Sequence, residues 1–230
     1  KHKMLSTKII CTIGPASDSP KNLAELAEAG MNVARLNFSH GTHQSHKKII
    51  EQIRNLNKDR QYPIAIMLDT QGPEIRTGDK EITLISGKRV CVTVPPNEES
   101  EGTLFVNYVD LKDDMKEGSC ISLDGGLMSL KVCGKNKKGI ECEVIDGGVV
   151  KAHRHVNLPG AIVKLPGITE TDKQDILFGI EQKVDVIALS FVRSSETIQE
   201  VRASLGVHAK NIKLIAKIEN QEGVERLEEI

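Results

Sequence analysis

Apolar residues in this chain fall into short strand-like runs separated by stretches with helical spacing. Residues 8–13 (KIICTI) read as a buried strand, and Ser19 with Pro20 supplies an N-cap and a first-turn proline for the helix KNLAELAEAG, which Gly30 closes. A strand over 32–38, a helix over 43–57 and a strand over 64–69 come next. Further on, Thr171 and Gln174 have capping-box spacing and open a helix to about Lys183, followed by a strand over 184–191, a helix over 195–205, a strand over 212–218 and a last helix from Gln221. Five strand–helix units, each returning the chain for another parallel strand, predict an α/β fold of the parallel-barrel kind.

Residues 79–158 break this rhythm. EITLISG, RVCVTV, SCISL, LMSLKV and IECEVI alternate in polarity and are divided by glycine-containing turns such as GKNKKG at 134–139, the pattern of antiparallel hairpins. The expected organisation is therefore a first barrel segment over 1–78, an inserted small β domain over 79–158 and a second barrel segment over 159–230. Five parallel strands fall short of a closed barrel of eight, so an edge strand should expose backbone and apolar side chains. The remaining strands are expected from a longer polypeptide or from another chain.

Composition narrows the function classes. With 39% apolar and 27% charged residues over 230, the chain can bury a core and is not a disordered type. Its 31 basic and 32 acidic residues nearly cancel, which argues against nucleic acid or an anionic membrane as partner, so any anion site must be local. Cysteines 11, 91, 120, 133 and 142 form no CxxC pair and suit a reducing cytoplasm. The charged N-terminus lacks a signal-peptide core, and the longest nearly apolar run, VDVIALSFV, is interrupted by Asp185 and Ser190 and is too short to span a bilayer. A soluble protein is expected.

Three strand-like runs end in charged and hydroxyl side chains, as the strands of a parallel barrel do at an active-site face. In MNVARLNFSHG, Arg35, Asn37 and Ser39 alternate onto one side; an arginine fork beside short oxygen donors suits a phosphoryl group with a cation, or the polar groups simply cap the next helix. His40, His43 and His46 recur every three residues, and a solvated helix face is the expected meaning, since no cysteine or carboxylate cluster completes a zinc site. In LDTQGPEIRTG, Asp69 and Thr70 end a strand before the Gly72–Pro73 turn, Glu74 and Arg76, which reads as a hard oxygen site or as a polar turn. In LIAKIEN, Lys217 and Glu219 face the same side, either to neutralise a transferring group and ligate magnesium or as a buried ion pair.

The strings TKIICTIGPAS, MNVARLNFSHGTH, LDTQGPEIRTG, NLPG, LPGITETD, ALSFVR and IAKIENQEGV together resemble the pyruvate kinase family, in that family's order and through nearly the whole chain. The resemblance implies a partial TIM (β/α)8 barrel with an inserted antiparallel β-barrel lid, transferring phosphoryl from phosphoenolpyruvate to ADP to give pyruvate and ATP in glycolysis. It implies Mg2+ (or Mn2+) and K+, a cytoplasmic setting and a homotetrameric parent. By motif position, Arg35 resembles the substrate-phosphoryl arginine and Lys217 the transition-state lysine. Asn37, Ser39, Asp69 and Thr70 resemble the potassium ligands, and Glu219 one of two magnesium carboxylates. Asn37, Phe38, Ser39 and His40 match a nucleotide-contacting segment, with Arg76 and Arg154 at nucleotide-phosphate positions. Glu74 resembles the potassium-requiring form of the family. Gln71 and Gly125 stand where the family usually has lysine and aspartate, and Arg154 where it has lysine. The sequence stops at Ile230, before the expected second metal carboxylate and the C-terminal domain, which leaves a non-catalytic fragment as an alternative. A different magnesium-dependent barrel acting on phosphoenolpyruvate or a keto acid is a further one.

Overall fold

The computed structural model describes residues 7–98, 100–161 and 163–230; the charged segment ahead of Thr7 lies outside them. The chain opens with β1 (Ile9–Thr12), α1 (Pro20–Glu28), β2 (Met31–Asn37), α2 (His43–Asn57) and β3 (Ala65–Asp69). It then runs through β4 (Ile82–Leu84), β5 (Arg89–Thr93), β6 (Thr103–Phe105), a short α3 (Leu111–Asp114), β7 (Cys120–Leu123), β8 (Met128–Lys135), β9 (Gly139–Asp146), β10 (Gly148–Val150) and β11 (Val156–Asn157). The alternation resumes with α4 (Glu170–Glu181), β12 (Val186–Leu189), α5 (Ser195–Leu205), β13 (Lys213–Ala216) and α6 (Gln221–Glu225). None of the described helices is long and apolar enough to cross a membrane.

The chain divides into two compact units, one formed by the residues up to Pro73 with Pro166–Ile230, the other by Glu74–Leu165. In the first, five parallel strands form one sheet in the order β1-β2-β3-β12-β13, so spatial order follows chain order, and α1, α2, α4 and α5 lie in the crossovers between successive strands. Its core joins sheet residues Leu36, Leu68 and Ile187 to helix residues Leu23, Ile50, Ile53 and Val201. Ser19 caps α1 by accepting the Asn22 N–H, with Pro20 at the first helical position, as the sequence predicts.

Three expectations need correction in this unit. The run 8–13 is not a buried strand: Ile9 and Ile10 are 44% and 51% exposed, because β1 is an edge of the sheet and pairs only with β2. The capping box of α4 lies two residues earlier than Thr171/Gln174. Thr169 is the N-cap and Asp172 the reciprocal partner, because the shorter aspartate side chain reaches back to the Thr169 N–H and hydroxyl. Finally, the histidines of α2 do not form a solvated face: His46 is buried and His43 is paired with a carboxylate on another helix.

The second unit holds a six-stranded sheet in the order β11-β7-β8-β9-β5-β6 and a two-stranded ladder of β10 with β4. All the pairings are antiparallel except β5 with β6. The GKNKKG segment is the turn between β8 and β9, as its glycines suggest, and an added Cβ at Gly139 would come within 1.9 Å of the Val92 carbonyl oxygen. Alternate residues Ile121, Leu123, Leu130, Val132, Cys142 and Val144 build a separate core.

Candidate active site

Parallel register sets the strand ends of the first unit side by side: Asn37 is opposite Asp69, Asp69 opposite Ala188, and Leu189 opposite Ala216. The polar residues that end each run therefore meet at one edge of the sheet. Asp69 is their centre, 1% exposed, with each carboxylate oxygen on a different cation. Arg35 donates through Nε to Asp69 Oδ2 at 2.6 Å, and its Nη1 donates to Thr12 Oγ1 at 2.7 Å. Lys217 Nζ lies 3.1 Å from Asp69 Oδ1, donates to Ser190 Oγ at 2.7 Å and stands 3.4 Å from Glu219 Oε1.

Ser190 ties these groups to the loop after β3. Its hydroxyl donates to the Thr70 carbonyl at 2.6 Å and its N–H donates to Thr70 Oγ1 at 3.2 Å. Glu219 is fixed by accepting the Phe191 N–H at 3.1 Å, from a residue whose φ of +56° lies in the left-handed region. The sequence drew attention to Ser190 only as a break in an apolar run; a lone hydroxyl at the carboxyl end of a buried strand was the available signal. Thr12 carries no signal in the sequence, since its link to Arg35 spans two strands.

The charges balance locally, two cations against two carboxylates, yet their exposure differs. Asp69 is sealed, whereas Arg35 and Lys217 keep 28% and 27% of their side chains accessible. Arg35, which turns Nε and Nη2 to Asp69 and Nη1 to Thr12, keeps further N–H donors for an anion, whereas Lys217 already faces Asp69, Ser190 and Glu219 and would add mainly its charge.

The segment 37–40 is held from behind by aromatic and imidazole rings. Asn37 Oδ1 accepts the Ser39 N–H at 3.1 Å, and Phe38 stacks on His46 with ring centroids 4.1 Å apart. His46 Nε2 donates to the His40 carbonyl at 2.9 Å, and His43 Nε2 meets Asp175 Oδ1 at 2.6 Å while stacking on Phe178. Burial lowers the pKa of His46, and burial raises that of Asp175 against the opposing pull of its bond to His43. His40 itself is exposed.

Arg76 and Arg154 belong to the second unit. Arg76 is paired with Glu74 and donates through Nη1 to the His153 carbonyl at 2.8 Å. Arg154 Nη1 stands 3.6 Å from Asp124 Oδ1, and its N–H donates to Thr77 Oγ1 at 2.8 Å. A backbone bridge between Arg76 and His155 brings the two arginine-bearing segments alongside each other within that unit.

As for metals, the Asn37 amide oxygen, Ser39 hydroxyl, Asp69 carboxylate and Thr70 carbonyl are hard oxygens on adjacent strand ends, a donor set that fits an alkali cation. Glu219 offers one carboxylate, a donor type that suits a magnesium-class ion. No group of three His, Cys, Asp or Glu side chains suited to a metal occurs among the described residues.

A family model described as "Pyruvate kinase, barrel domain" matches residues 4–230. The chain is similar to the pyruvate kinase of Sporosarcina psychrophila, at 47% identity over 233 residues, covering 99% of this chain and 40% of that protein. It is also similar to the pyruvate kinase of Geobacillus stearothermophilus, at 49% identity over 230 residues, covering 97% of this chain and 39% of the relative. Plastidial pyruvate kinase 2 of Arabidopsis thaliana is 43% identical over 227 residues, with 97% and 39% covered. The chain thus spans about two fifths of the length of the curated relatives it matches.

Proposed function

The chain belongs to the pyruvate kinase family, and on that premise we propose that it furnishes part of the active site of an enzyme transferring phosphoryl from phosphoenolpyruvate to ADP. The observation that carries this reading is the buried Asp69 carboxylate holding Arg35 and Lys217 by separate oxygens at the strand ends. In-line transfer asks the protein for positioning and charge neutralisation rather than for a nucleophile. Arg35 binds the phosphoryl oxygens. Lys217, steadied by Asp69 and Ser190, neutralises the phosphoryl in flight and the enolate oxygen left when the bridging P–O bond breaks. Protonation of that enolate at carbon then gives pyruvate.

Asn37, Ser39, Asp69 and Thr70 would hold potassium and Glu219 magnesium or manganese, supplying further positive charge to the same oxygens. Asn37 to His40 would contact the nucleotide, and Arg76 and Arg154 its phosphates. We assign the inserted β unit, residues 79–158 between barrel segments 1–78 and 159–230, as a lid of the family's small β-barrel type. The role implies glycolysis in the cytoplasm, and the family resemblance implies a homotetrameric complete enzyme.

Turnover coupled to lactate dehydrogenase tests the reading on this chain and on Lys217→Met. Loss of transition-state charge stabilisation should cost about 10²–10³-fold or more in rate. Pyruvate formed equally fast by the variant, or formed without ADP, would sink it. Glu74 adds an expectation of potassium dependence, so equal turnover in potassium and in tetramethylammonium would count against the cation assignment. A second reading is a non-catalytic phosphoenolpyruvate-binding module. It predicts phosphoenolpyruvate binding lost on Arg35→Met, with no turnover.

A further inference from the structure

Helix α4 buries two of its acidic residues one turn apart, Asp172 and Asp175, exposed to only 0% and 5%. Burying a carboxylate is costly unless its oxygens are well paired. Asp172 Oδ2 completes the capping box, accepting from the Thr169 N–H at 2.8 Å and hydroxyl at 2.7 Å. That function uses one oxygen. The other, Oδ1, leaves the helix and accepts the N–H of Gly72 at 3.0 Å, in the turn after Thr70. Gly72 has a φ of +74°, and an added Cβ would lie 2.8 Å from Ser190 Cβ, so the turn is wedged against the residue that receives Lys217.

Asp175 reaches in the other direction. Its Oδ1 pairs with His43 Nε2 at 2.6 Å, at the start of α2. On the same helix His46 stacks on Phe38 and holds the His40 carbonyl at 2.9 Å. One turn of α4 therefore fixes both segments that bear the candidate cation donors: 70–72 directly through Asp172, and 37–40 through Asp175 and the α2 histidines.

Resting on the potassium assignment above, we infer that Asp172 and Asp175 are positioning residues for the monovalent-cation site, setting the separation of the Asn37/Ser39 donors from the Asp69/Thr70 donors. Cation choice depends on the size and rigidity of the oxygen cage. A helix bonded to both halves of that cage supplies the rigidity, and it does so without touching the ion.

The test is a thallium(I) titration of the 230-residue chain followed by ²⁰⁵Tl NMR, with sodium as competitor, on wild type, Asp69→Asn, Asp172→Asn, Asp175→Asn, His43→Gln and the packing control Ile176→Val. Loss of an outer-sphere support should weaken thallium binding by about tenfold or more and narrow the thallium-over-sodium preference. The Ile176→Val control should change neither, and Asp69→Asn should abolish the signal. If Asp172→Asn fails to fold by circular dichroism, Asp175→Asn and His43→Gln decide, because His43 is a half-exposed residue. Folded α4 variants with wild-type affinity and preference overturn the inference, as does binding that survives Asp69→Asn. A wild type that takes up no thallium yet turns over or binds phosphoenolpyruvate overturns it while leaving the proposed function standing; loss of both removes the two together.

Discussion

A buried carboxylate such as Asp69 costs several kcal/mol unless it is compensated, and here each of its oxygens is met by a different cation. The chemistry of the site is thus concentrated in single side chains whose surroundings differ sharply. The cysteines show the same contrast. Cys142 is buried in the second unit's core, and burial pushes its thiol up to about 12, whereas Cys120 is exposed. The thiolate is the reactive form, so at pH 8 burial keeps the Cys142 thiol protonated and unreactive. Ellman's reagent should label Cys120 promptly and Cys142 only on unfolding. Peptide mass mapping that found both labelled at one rate in the native protein would contradict this. At this scale Lys217 and Glu219 were legible from a spacing of two, which keeps both on one side of an extended segment; they follow β13 and lie 3.4 Å apart. Asp124, the partner of Arg154, was not, because 30 residues separate them and no local pattern couples them.

Among the elements, periodicity located the five strand–helix units well, since alternating and helical burial are local consequences of backbone geometry. It did less well at ends. The start of α4 turned on which threonine found a carboxylate three residues on, and β6, β10 and β11 are short strands that lie outside the alternating runs read from the sequence. The short α3 matters for the stability of its unit. Tyr108 donates its hydroxyl to Asp114 and accepts the Lys164 N–H at 2.8 Å, while Lys164 Nζ lies 2.7 Å from Asp114. Burial, then the bond to Asp114, raises the Tyr108 hydroxyl to about 12. The folded protein therefore holds this proton more tightly than the unfolded chain. The resulting stabilisation is fully present below the ordinary tyrosine value of about 10 and is lost as pH rises through about 12. Tyr108→Phe should cost about 1–2 kcal/mol in urea denaturation at pH 8, and the gap to wild type should close between about pH 10 and 12. A gap independent of pH would show that the hydroxyl's proton is not what stabilises the unit.

For the molecule as a whole, the two apolar clusters are separate, one built on the parallel sheet and one on the antiparallel strands. Leu130 is fully buried in the second. Leu130→Ala should destabilise that unit by about 2–5 kcal/mol through lost burial and a cavity. Hydrogen exchange should then quicken in β7, β8 and β9 while β2 and β3 stay protected; equal quickening in both units would show a single cooperative core. The five strand–helix units, the change of texture near residue 79 and the charged strand ends were readable from the chain alone, because each follows from steric and hydrogen-bonding rules acting over a few residues. Only the tertiary structure decided which of those residues meet. Gly72 finds Asp172 across 100 positions, His43 finds Asp175 across 132, and Lys217 finds Asp69 across 148. Such pairings arise from strand order and register in the sheet, and from the way helices α2 and α4 and the turn after β3 come together on it, which bring distant residues into contact. For the same reason β1 lies exposed at an edge despite its apolar sequence: burial depends on what covers a strand, and a strand cannot specify its own cover.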